Sequence, residues 1–145
     1  MRAGDYHRRV RLRSLLALLL IAACAEKDPV VRTIDQIVDA AEERDAGAVA
    51  EFLASDYPGR AETERELRRY LFGYRTIDIT VRELKSQRAQ SGGWATFRVD
   101  FIGVPKEIGG LDQFLPRSAT YRFALDFVAE SGDWKVSRAQ WERER

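Results

Sequence analysis

The sequence predicts an α+β domain in which three N-terminal helices pack on one face of an antiparallel sheet of about four strands. Apolar residues recur every three or four positions between residues 30 and 72, which is the helical period. From residue 76 to residue 141 they recur every second position, which is the strand period. The predicted strands follow one another without helices between them, and this order excludes the β-α-β units of a parallel sheet.

The first predicted helix starts at Pro29, a residue that suits the first turn of a helix. Acidic residues occupy the face opposite its apolar stripe. The stripe consists of Val30, Val31, Ile34, Ile37, Val38 and Ala41. We expect Asp45 to cap a second, short helix that packs antiparallel to the first. The side chains that this second helix buries are predicted to be Val49, Phe52 and Leu53.

Residues 55–59 have the composition of a turn and precede the third predicted helix. This helix is expected to begin at Thr63-Glu64-Arg65-Glu66, because a threonine followed three residues later by glutamate is the pattern of a capping box. We expect Gly73 to end it. Its inward-facing residues are predicted to be Leu67, Tyr70 and Leu71.

Four strands are predicted in the second half of the chain, at residues 76–90, 94–104, 118–129 and 134–141. Their alternation places one set of residues on the helix-covered face: Ile77, Ile79, Val81, Ala95, Phe97, Val99, Phe101, Tyr121, Phe123, Leu125, Phe127, Trp134 and Val136. The opposite face carries Arg98, Asp100, Arg122 and Asp126. Their mixed signs favour cross-strand charge pairs in contact with water. The charged residues 142–145 are expected to fray.

The segment between the second and third strands, residues 103–117, is long for a compact domain. Its apolar residues are Ile108, Leu111, Phe114 and Leu115, and Gly109-Gly110 provides a flexible joint. Three interpretations remain open: a lid, a segment that docks a partner, and a connection whose apolar residues fill one end of the sheet.

The first 23 residues have the layout of a secretory signal. A lead with five arginines precedes the apolar run from Leu15 to Ala23, which has nine residues, whereas a helix needs about 20 to cross a bilayer. The run is therefore too short to span the membrane. Export by the general or by the twin-arginine route remains open, and so does cleavage that leaves a protein without a lipid.

The last residues of this signal, Ile21-Ala22-Ala23-Cys24, resemble the lipobox of bacterial lipoproteins. The resemblance implies that diacylglycerol alkylates the Cys24 thiol and that Cys24 becomes the mature N-terminus. We therefore expect a signal peptide at residues 1–23, a tether at residues 24–29 and one domain at residues 30–145. The membrane would be a partner through Cys24, and the domain would face the periplasm or the cell exterior.

Composition excludes several kinds of chemistry. Without residues 1–23 the chain keeps 19 basic and 22 acidic side chains, so its net charge is about −3 and nucleic-acid binding is not indicated. Cys24 is the only cysteine and His7, in the signal, the only histidine. The mature chain therefore cannot form an internal disulfide, a Cys/His zinc site or a Ser-His or Cys-His nucleophile pair. We expect no metal and no cofactor.

Three segments in this order resemble the NTF2-like (SnoaL and ketosteroid isomerase-like) superfamily. They are residues 43–48 (ERDAGA), residues 53–57 (LASDY) and residues 132–136 (GDWKV). The resemblance implies a sheet curved into a cone around an apolar pocket. The residues that would line the pocket are Tyr57, Tyr70, Tyr74, Phe97, Phe101, Tyr121 and Phe123. The other interpretation of these residues is a packed core without a cavity.

The sequence favours a membrane-anchored cell-envelope lipoprotein that binds an apolar small ligand or an envelope protein. The alternative is a lipid-anchored enzyme with a carboxylate and tyrosine site in the cone, for which Asp56 beside Tyr57 is the nearest candidate base. No residue is assigned as catalytic. Because the outer sheet face is charged, we expect a monomer or a weak homodimer.

Overall fold

The computed structural model describes residues 26–145, and these form three helices followed by four antiparallel strands. The helices are α1 (Pro29–Glu42), α2 (Ala46–Glu51) and α3 (Arg60–Phe72). The strands are β1 (Tyr74–Arg88), β2 (Gly92–Pro105), β3 (Ser118–Glu130) and β4 (Asp133–Arg143), with a short 3₁₀ helix at Leu111–Phe114. The strand order in the sheet is β1-β2-β3-β4, so neighbours in the chain are neighbours in the sheet. The predicted α+β architecture is confirmed.

Side-chain caps begin the first two helices. The Asp28 carboxylate accepts a hydrogen bond from the backbone N–H of Val30 (2.8 Å), and Pro29 occupies the first turn of α1. The Asp45 carboxylate accepts from the N–H of Ala48 (2.9 Å) and caps α2, as predicted. Helix α1 buries Val30 and Ile34 against the sheet.

The predicted start of α3 is wrong. The helix begins at Arg60, because Gly59 adopts a left-handed conformation (φ 66°) that turns the chain into the helix three residues before Thr63. The N–H of Thr63 donates to the carbonyl of Gly59 (2.8 Å), so Thr63 already lies inside the first turn and caps nothing. Gly73 follows the last helical residue, as predicted, in a right-handed conformation.

The core lies between the helices and one face of the sheet. On β2 this face carries Ala95, Phe97, Val99 and Phe101, and all four are buried. On β3, Leu125 and Phe127 are buried, whereas Tyr121 and Phe123 are half-buried at the edge of the core. The inward-facing sets predicted from alternation on β2 and β3 are therefore confirmed.

The opposite face of the sheet carries ion pairs between neighbouring strands, as predicted. Arg82 on β1 contacts Asp100 on β2 (2.6 Å), and Arg138 on β4 contacts Asp126 on β3 (2.9 Å). Arg98 contacts Glu83 (3.1 Å). Each pair has at least one side chain that is more than 60% exposed and none that is buried, so each contributes about 0–1 kcal/mol.

The C-terminal residues do not fray, which corrects the prediction for residues 142–145. Strand β4 extends to Arg143, and the N–H of Glu144 donates to the carbonyl of Thr120 (2.8 Å). The register places Arg98 directly opposite Arg122. The carboxylate of Glu144 accepts from Arg98 with one oxygen and from Arg122 with the other (2.8 Å). It thereby offsets the repulsion between two like charges on neighbouring strands.

The connection between β2 and β3, residues 106–117, folds back against the start of β1. Leu115 packs on the core, so it fills one end of the sheet. Leu111 and Phe114 remain 60% and 76% exposed. Leu115 therefore belongs to the core, whereas Leu111 and Phe114 project into solvent.

The N-terminus of the domain lies beside the turn between β1 and β2. The side chain of Arg88 lies 3.3 Å from the Asp28 carboxylate, and Val30 packs near Gly93. The signal segment 1–23, Cys24 and its lipobox lie outside the described residues. Among residues 26–145, none of the helices is both long and apolar enough to cross a membrane.

Candidate functional site

Aromatic side chains from α3 and all four strands form a continuous cluster at the edge of the core. We call it the aromatic cluster; its members are Tyr70, Tyr74, Phe97, Phe101, Tyr121, Phe123 and Trp141. Six of these seven residues were predicted from the sequence as pocket-lining. The strand alternation and the position of Tyr70 on the inner side of α3 bring them together.

The buried half of the cluster is built around Tyr74, the first residue of β1. Its ring centroid lies 5.2 Å from that of Phe101 and 5.4 Å from that of Tyr70, with the rings tilted or edge-on. Gly103 makes this packing possible, because a Cβ at that position would lie 2.5 Å from the Tyr74 ring. Tyr74 is fully buried.

The other half of the cluster spans β2 and β3. Phe97 and Phe123 are direct register partners, and their rings stack with centroids 5.4 Å apart and an interplanar angle of 10°. Tyr121 lies next to Phe123 at 6.4 Å. The cluster therefore changes gradually from a buried interior to a half-exposed edge.

The three tyrosine hydroxyls form a chain of hydrogen bonds. Tyr74 Oη donates to the carbonyl of Pro116 (2.9 Å), which belongs to the connection between β2 and β3. Tyr70 Oη lies 3.4 Å from both Tyr74 Oη and Tyr121 Oη. The chain satisfies polar atoms that burial removes from water and links α3, β1 and β3.

Burial raises the pKa of these phenols. The pKa of Tyr70 and that of Tyr121 rise to about 12, and the pKa of Tyr74 also rises, chiefly because the phenolate would lose its water shell. The positive charge of Arg143 opposes these shifts without cancelling them. At neutral pH the three hydroxyls are therefore protonated, so they act as hydrogen-bond donors and acceptors and not as bases.

Sequence reasoning missed Trp141 and Arg143. Strict alternation from Trp134 and Val136 puts even-numbered residues of β4 on the inner face. A bulge at Ser137 shifts the phase, since Val136 pairs with Phe127 while Arg138 pairs with Asp126.

The shift places Trp141 opposite Phe123, with its ring edge-on to Tyr121 at 5.9 Å. It also places Arg143 opposite Tyr121. In the sequence, this change of phase is indicated by Ala139 and Trp141, which are apolar residues at odd-numbered positions.

Tyr57, the seventh predicted residue, does not join the cluster. It packs against the core from the connection between α2 and α3, and within residues 26–145 it takes part in none of the ring pairs or hydroxyl contacts of the cluster. The neighbouring Asp56 is exposed in the same turn. The environment of Asp56 is therefore not that of a buried catalytic carboxylate.

Two depressions lie on the surface of the described domain. One, of about 300 Å³, lies between the ends of α1 and α3 and the end of β2. The other, of about 230 Å³, lies along β2, β3 and β4, and most of its lining belongs to the outer face of the sheet: Thr96, Arg122, Ala124, Gln140 and Glu142, together with Phe123 and Trp141. The three tyrosines line neither of them, because their rings pack against one another. Trp141, in contrast, is 64% exposed.

The described residues contain no group of three or more His, Cys, Asp or Glu side chains placed to hold a metal ion. Within the same residues, no carboxylate hydrogen-bonds to any of the three tyrosine hydroxyls. The chemistry of the cluster is therefore aromatic surface combined with neutral hydroxyls and the nearby guanidinium of Arg143.

The domain is similar to many solved structures of low sequence identity, and three of them illustrate the likeness. The first is a candidate scytalone dehydratase from Novosphingobium aromaticivorans (TM-score 0.68, 12% identity, 81% of this chain and 83% of that chain). The second is a candidate dehydratase of the NTF2-like family from Streptomyces avermitilis (TM-score 0.66, 12% identity, 80% and 94%). The third is a type 2 hexachlorocyclohexane dehydrochlorinase (TM-score 0.66, 12% identity, 81% and 84%).

No family model and no curated protein matches the sequence. At these identities a structural likeness establishes architecture and leaves activity open. The order of three helices and four antiparallel strands, and the likeness to NTF2-like structures over four-fifths of the chain, lead to one conclusion. The chain has the NTF2-like α+β fold.

Proposed function

We propose that this protein is a bacterial cell-envelope lipoprotein, anchored through a diacylglycerol-modified Cys24, whose domain binds an apolar small molecule at the aromatic cluster. The single observation that carries the binding proposal is the indole of Trp141, which is 64% exposed although it contacts Tyr121 edge-on. The anchoring proposal rests on the lipobox pattern at residues 21–24.

An exposed tryptophan that continues a buried aromatic cluster is a good contact surface for an apolar ligand. Its ring offers a large apolar area, and burial of apolar area contributes about 25 cal/mol per Å². The hydroxyl of Tyr121 lies at the same edge of the cluster and supplies a hydrogen bond that orients a polar substituent. A flat apolar molecule with one polar group suits this surface.

The site supports binding better than catalysis. The three hydroxyls hold their protons at neutral pH, as ordinary tyrosines do, and their raised pKa disfavours the phenolate further, so none of them serves as a general base there. Asp56, the carboxylate that the enzyme alternative requires, is exposed and outside the cluster. A binding role needs only the surface and the hydrogen bonds described above.

The position of the N-terminus determines how an anchored domain meets the membrane. Residues 25–28 span at most about 15 Å and join the domain at the turn between β1 and β2. The connection at residues 106–117 lies at the other end of β2, about 40 Å away along the strand. With Cys24 in the bilayer, the turn between β1 and β2 would lie nearest the membrane and the connection farthest from it, and Trp141, in register with Phe123 and Phe97 near the middle of β2, would lie between the two.

The anchor is tested by the Cys24→Ser substitution. We expect wild-type protein in the membrane fraction with a lipid-modified mass at Cys24, and the variant outside it, because stable anchoring takes two or more acyl chains. Wild-type protein that fractionates with soluble periplasmic proteins and carries no lipid would refute the anchor and leave the binding proposal intact.

The binding site is tested with N-phenyl-1-naphthylamine, an uncharged apolar fluorophore, added to the full chain. We expect its fluorescence to rise on binding, and Trp141→Ala to weaken the affinity about tenfold. The matched control is Trp94→Ala, because Trp94 is also an exposed tryptophan but lies on the outer face of the sheet. Equal losses in the two variants would show binding that does not depend on the cluster.

The native ligand is identified by mass spectrometry of protein purified from its own membrane. We expect a small apolar molecule that Trp141→Ala no longer retains. Recovery of an envelope protein in its place, bound to the wild type and lost in the variant, would support the other ligand class that the sequence left open.

A further inference from the structure

A second candidate site lies outside the aromatic cluster, where α1, α3 and β2 end close together. The depression there has a volume of about 300 Å³ and is lined by Glu43, Arg44, Arg68, Leu71, Phe72 and Lys106. This volume is at the lower end of those found for small-molecule sites. Two apolar side chains and three cations share one concave surface.

Arg44 holds its guanidinium at this depression through hydrogen bonds to neutral acceptors. Its Nη1 donates to the carbonyls of Tyr74 (3.2 Å) and Arg75 (2.6 Å). These bonds fix the side chain but do not neutralise its charge. Within residues 26–145, no carboxylate lies within 4 Å of the guanidinium. Arg44 also adopts a left-handed backbone conformation (φ 62°), which a residue with a side chain rarely takes.

Lys106 and Phe72 also line the depression. The N–H of Lys106 donates to the carbonyl of Gly73 (2.8 Å), which places the residue beside the end of α3. Its ammonium lies 4.2 Å from the centroid of the Phe72 ring, a cation–π distance. Phe72 is 63% exposed, so an aromatic ring and an ammonium without a carboxylate partner in the described domain face solvent together.

The remaining charges leave the depression cationic. Arg68 is already paired with Glu64 (2.6 Å), one turn earlier on α3. Glu43 is the one acid in the lining of this depression. Arg44 and Lys106 together therefore outweigh Glu43, and Leu71 and Phe72 provide the apolar part of the surface.

We infer that this depression binds a carboxylate carried on an aromatic or apolar body. The carboxylate would accept charge-assisted hydrogen bonds from Arg44 and Lys106, which are stronger than bonds between neutral groups. The apolar body would cover the exposed ring of Phe72 and exclude water from both cations. This site is separate from the aromatic cluster and does not depend on the function proposed for it.

The inference is tested by calorimetric titration of the full chain in detergent micelles with 1-naphthoate, with the micelles alone as a blank. We expect binding that weakens as salt rises, and much weaker binding of 1-naphthylmethanol, which lacks the charge. Inorganic phosphate and acetate, which lack the apolar body, are also expected to bind more weakly. A peptide that ends in phenylalanine carries the same combination of a carboxylate and an aromatic ring. Its affinity, compared with that of 1-naphthoate, distinguishes a protein C-terminus from a free acid as the ligand.

The decisive variant is Lys106→Met, which keeps the length of the side chain and removes its charge. We expect it to weaken 1-naphthoate binding about tenfold. The matched control is Lys135→Met, because the Lys135 ammonium lies 5.9 Å from the Phe52 ring at a different place on the domain. Trp141→Ala is expected to leave 1-naphthoate binding unchanged, which separates this site from the aromatic cluster.

Three results would overturn the inference: no binding of 1-naphthoate at millimolar concentration, equal affinity for the acid and the alcohol, and equal effects of the two lysine variants. Amide NMR shifts on titration provide a second measurement that does not depend on a variant. They are expected at Phe72 and Lys106 and not at Phe52 and Lys135.

Discussion

The two faces of the sheet are built from the same four strands and differ in almost every other respect. The inner face carries the core and the aromatic cluster, with Phe97 and Phe101 only 6% and 5% exposed. The outer face carries ion pairs such as Arg82 with Asp100 and Arg138 with Asp126, whose side chains are 34–68% exposed. Neighbouring residues of one strand therefore have opposite environments.

This difference shows which face determines the stability of the fold. Burial of a phenylalanine removes a large apolar area from water, whereas an exposed ion pair gains little over its hydrated partners. The outer pairs are still informative, because they appear only in one strand register. A shift by one residue would bury Arg98 and Arg122 and expose Phe97 and Phe123.

The sharpest test of the comparison uses two residues of β2 on opposite faces. We expect Phe97→Ala to lower the free energy of unfolding by about 3–5 kcal/mol, because it removes a buried ring and its stacking contact with Phe123. We expect Ile102→Ala, on the outer face and 59% exposed, to lower it by about 1 kcal/mol or less. Denaturant unfolding measures both values. Equal values would mean that the two faces are assigned wrongly.

The burial of the tyrosine hydroxyls on the inner face is tested by the pH dependence of the free energy of unfolding. Tyr70 and Tyr121 have a pKa of about 12 in the folded chain, compared with 10.0 for a free tyrosine. Between pH 10 and 12 the folded chain keeps protons that the unfolded chain has lost. The free energy of unfolding should therefore fall as the pH rises through this window and should not change through these groups below it.

Thermal melts between pH 9 and about 12, with tyrosinate absorbance followed in parallel, would measure this effect. In Tyr121→Phe, which lacks one of the two hydroxyls, the decline with pH should be shallower. Ionisation of all the tyrosines near their ordinary pKa would contradict the prediction and would show that water reaches this part of the cluster.

A smaller effect is expected on the outer face from Glu144→Gln. The change removes the carboxylate charge between Arg98 and Arg122, so two like charges face each other on neighbouring strands. We expect the melting temperature to fall by a few degrees at low salt and by less at high salt, where repulsion is screened. Glu142→Gln is the matched control, because Glu142 is 71% exposed and lies 3.8 Å from a single arginine.

The last and smallest expected effect is the influence of salt on self-association of the domain. Because the outer face is charged, we expect the protein in detergent to be a monomer or a weak dimer, with any dimer loosening as salt rises. Light scattering across a salt series measures this. A stable dimer at micromolar protein and high salt would indicate an apolar interface, for which Ile102 and Val104, both exposed on the outer face, are the first candidates.

Local patterns predicted most of the secondary structure because each depends on residues close together in the chain. The Asp45 cap of α2 and the alternation on β2 and β3 are confirmed. The apolar stripe of α1 is confirmed in part: Val30 and Ile34 are buried, the other four predicted residues are half-buried, and the helix also buries Thr33 and Ala40. The capping box at Thr63 was wrong because the left-handed Gly59 provides an earlier start for α3. The local sequence contained both signals, and it did not show which one would prevail.

The errors at the C-terminus have a different origin. Fraying of residues 142–145 was predicted because they are charged and terminal. The partners of Glu144, namely Arg98, Arg122 and the carbonyl of Thr120, lie more than 20 residues earlier in the chain. The phase of β4 likewise depends on a bulge that forms only when β4 pairs with β3.

By itself, the sequence determined the class of fold and the helix-covered face of the sheet, because hydrophobic periodicity is a local property that burial then enforces. Six members of the aromatic cluster were named from the resemblance to the NTF2-like superfamily. Only the tertiary structure decided that Trp141 and Arg143 join the inner face, that the tyrosine hydroxyls form one chain, and that Arg44, Phe72 and Lys106 meet in one depression. Each of these arrangements requires segments far apart in the chain to come together, and the packing of β4, α3 and the residue 106–117 connection sets their geometry.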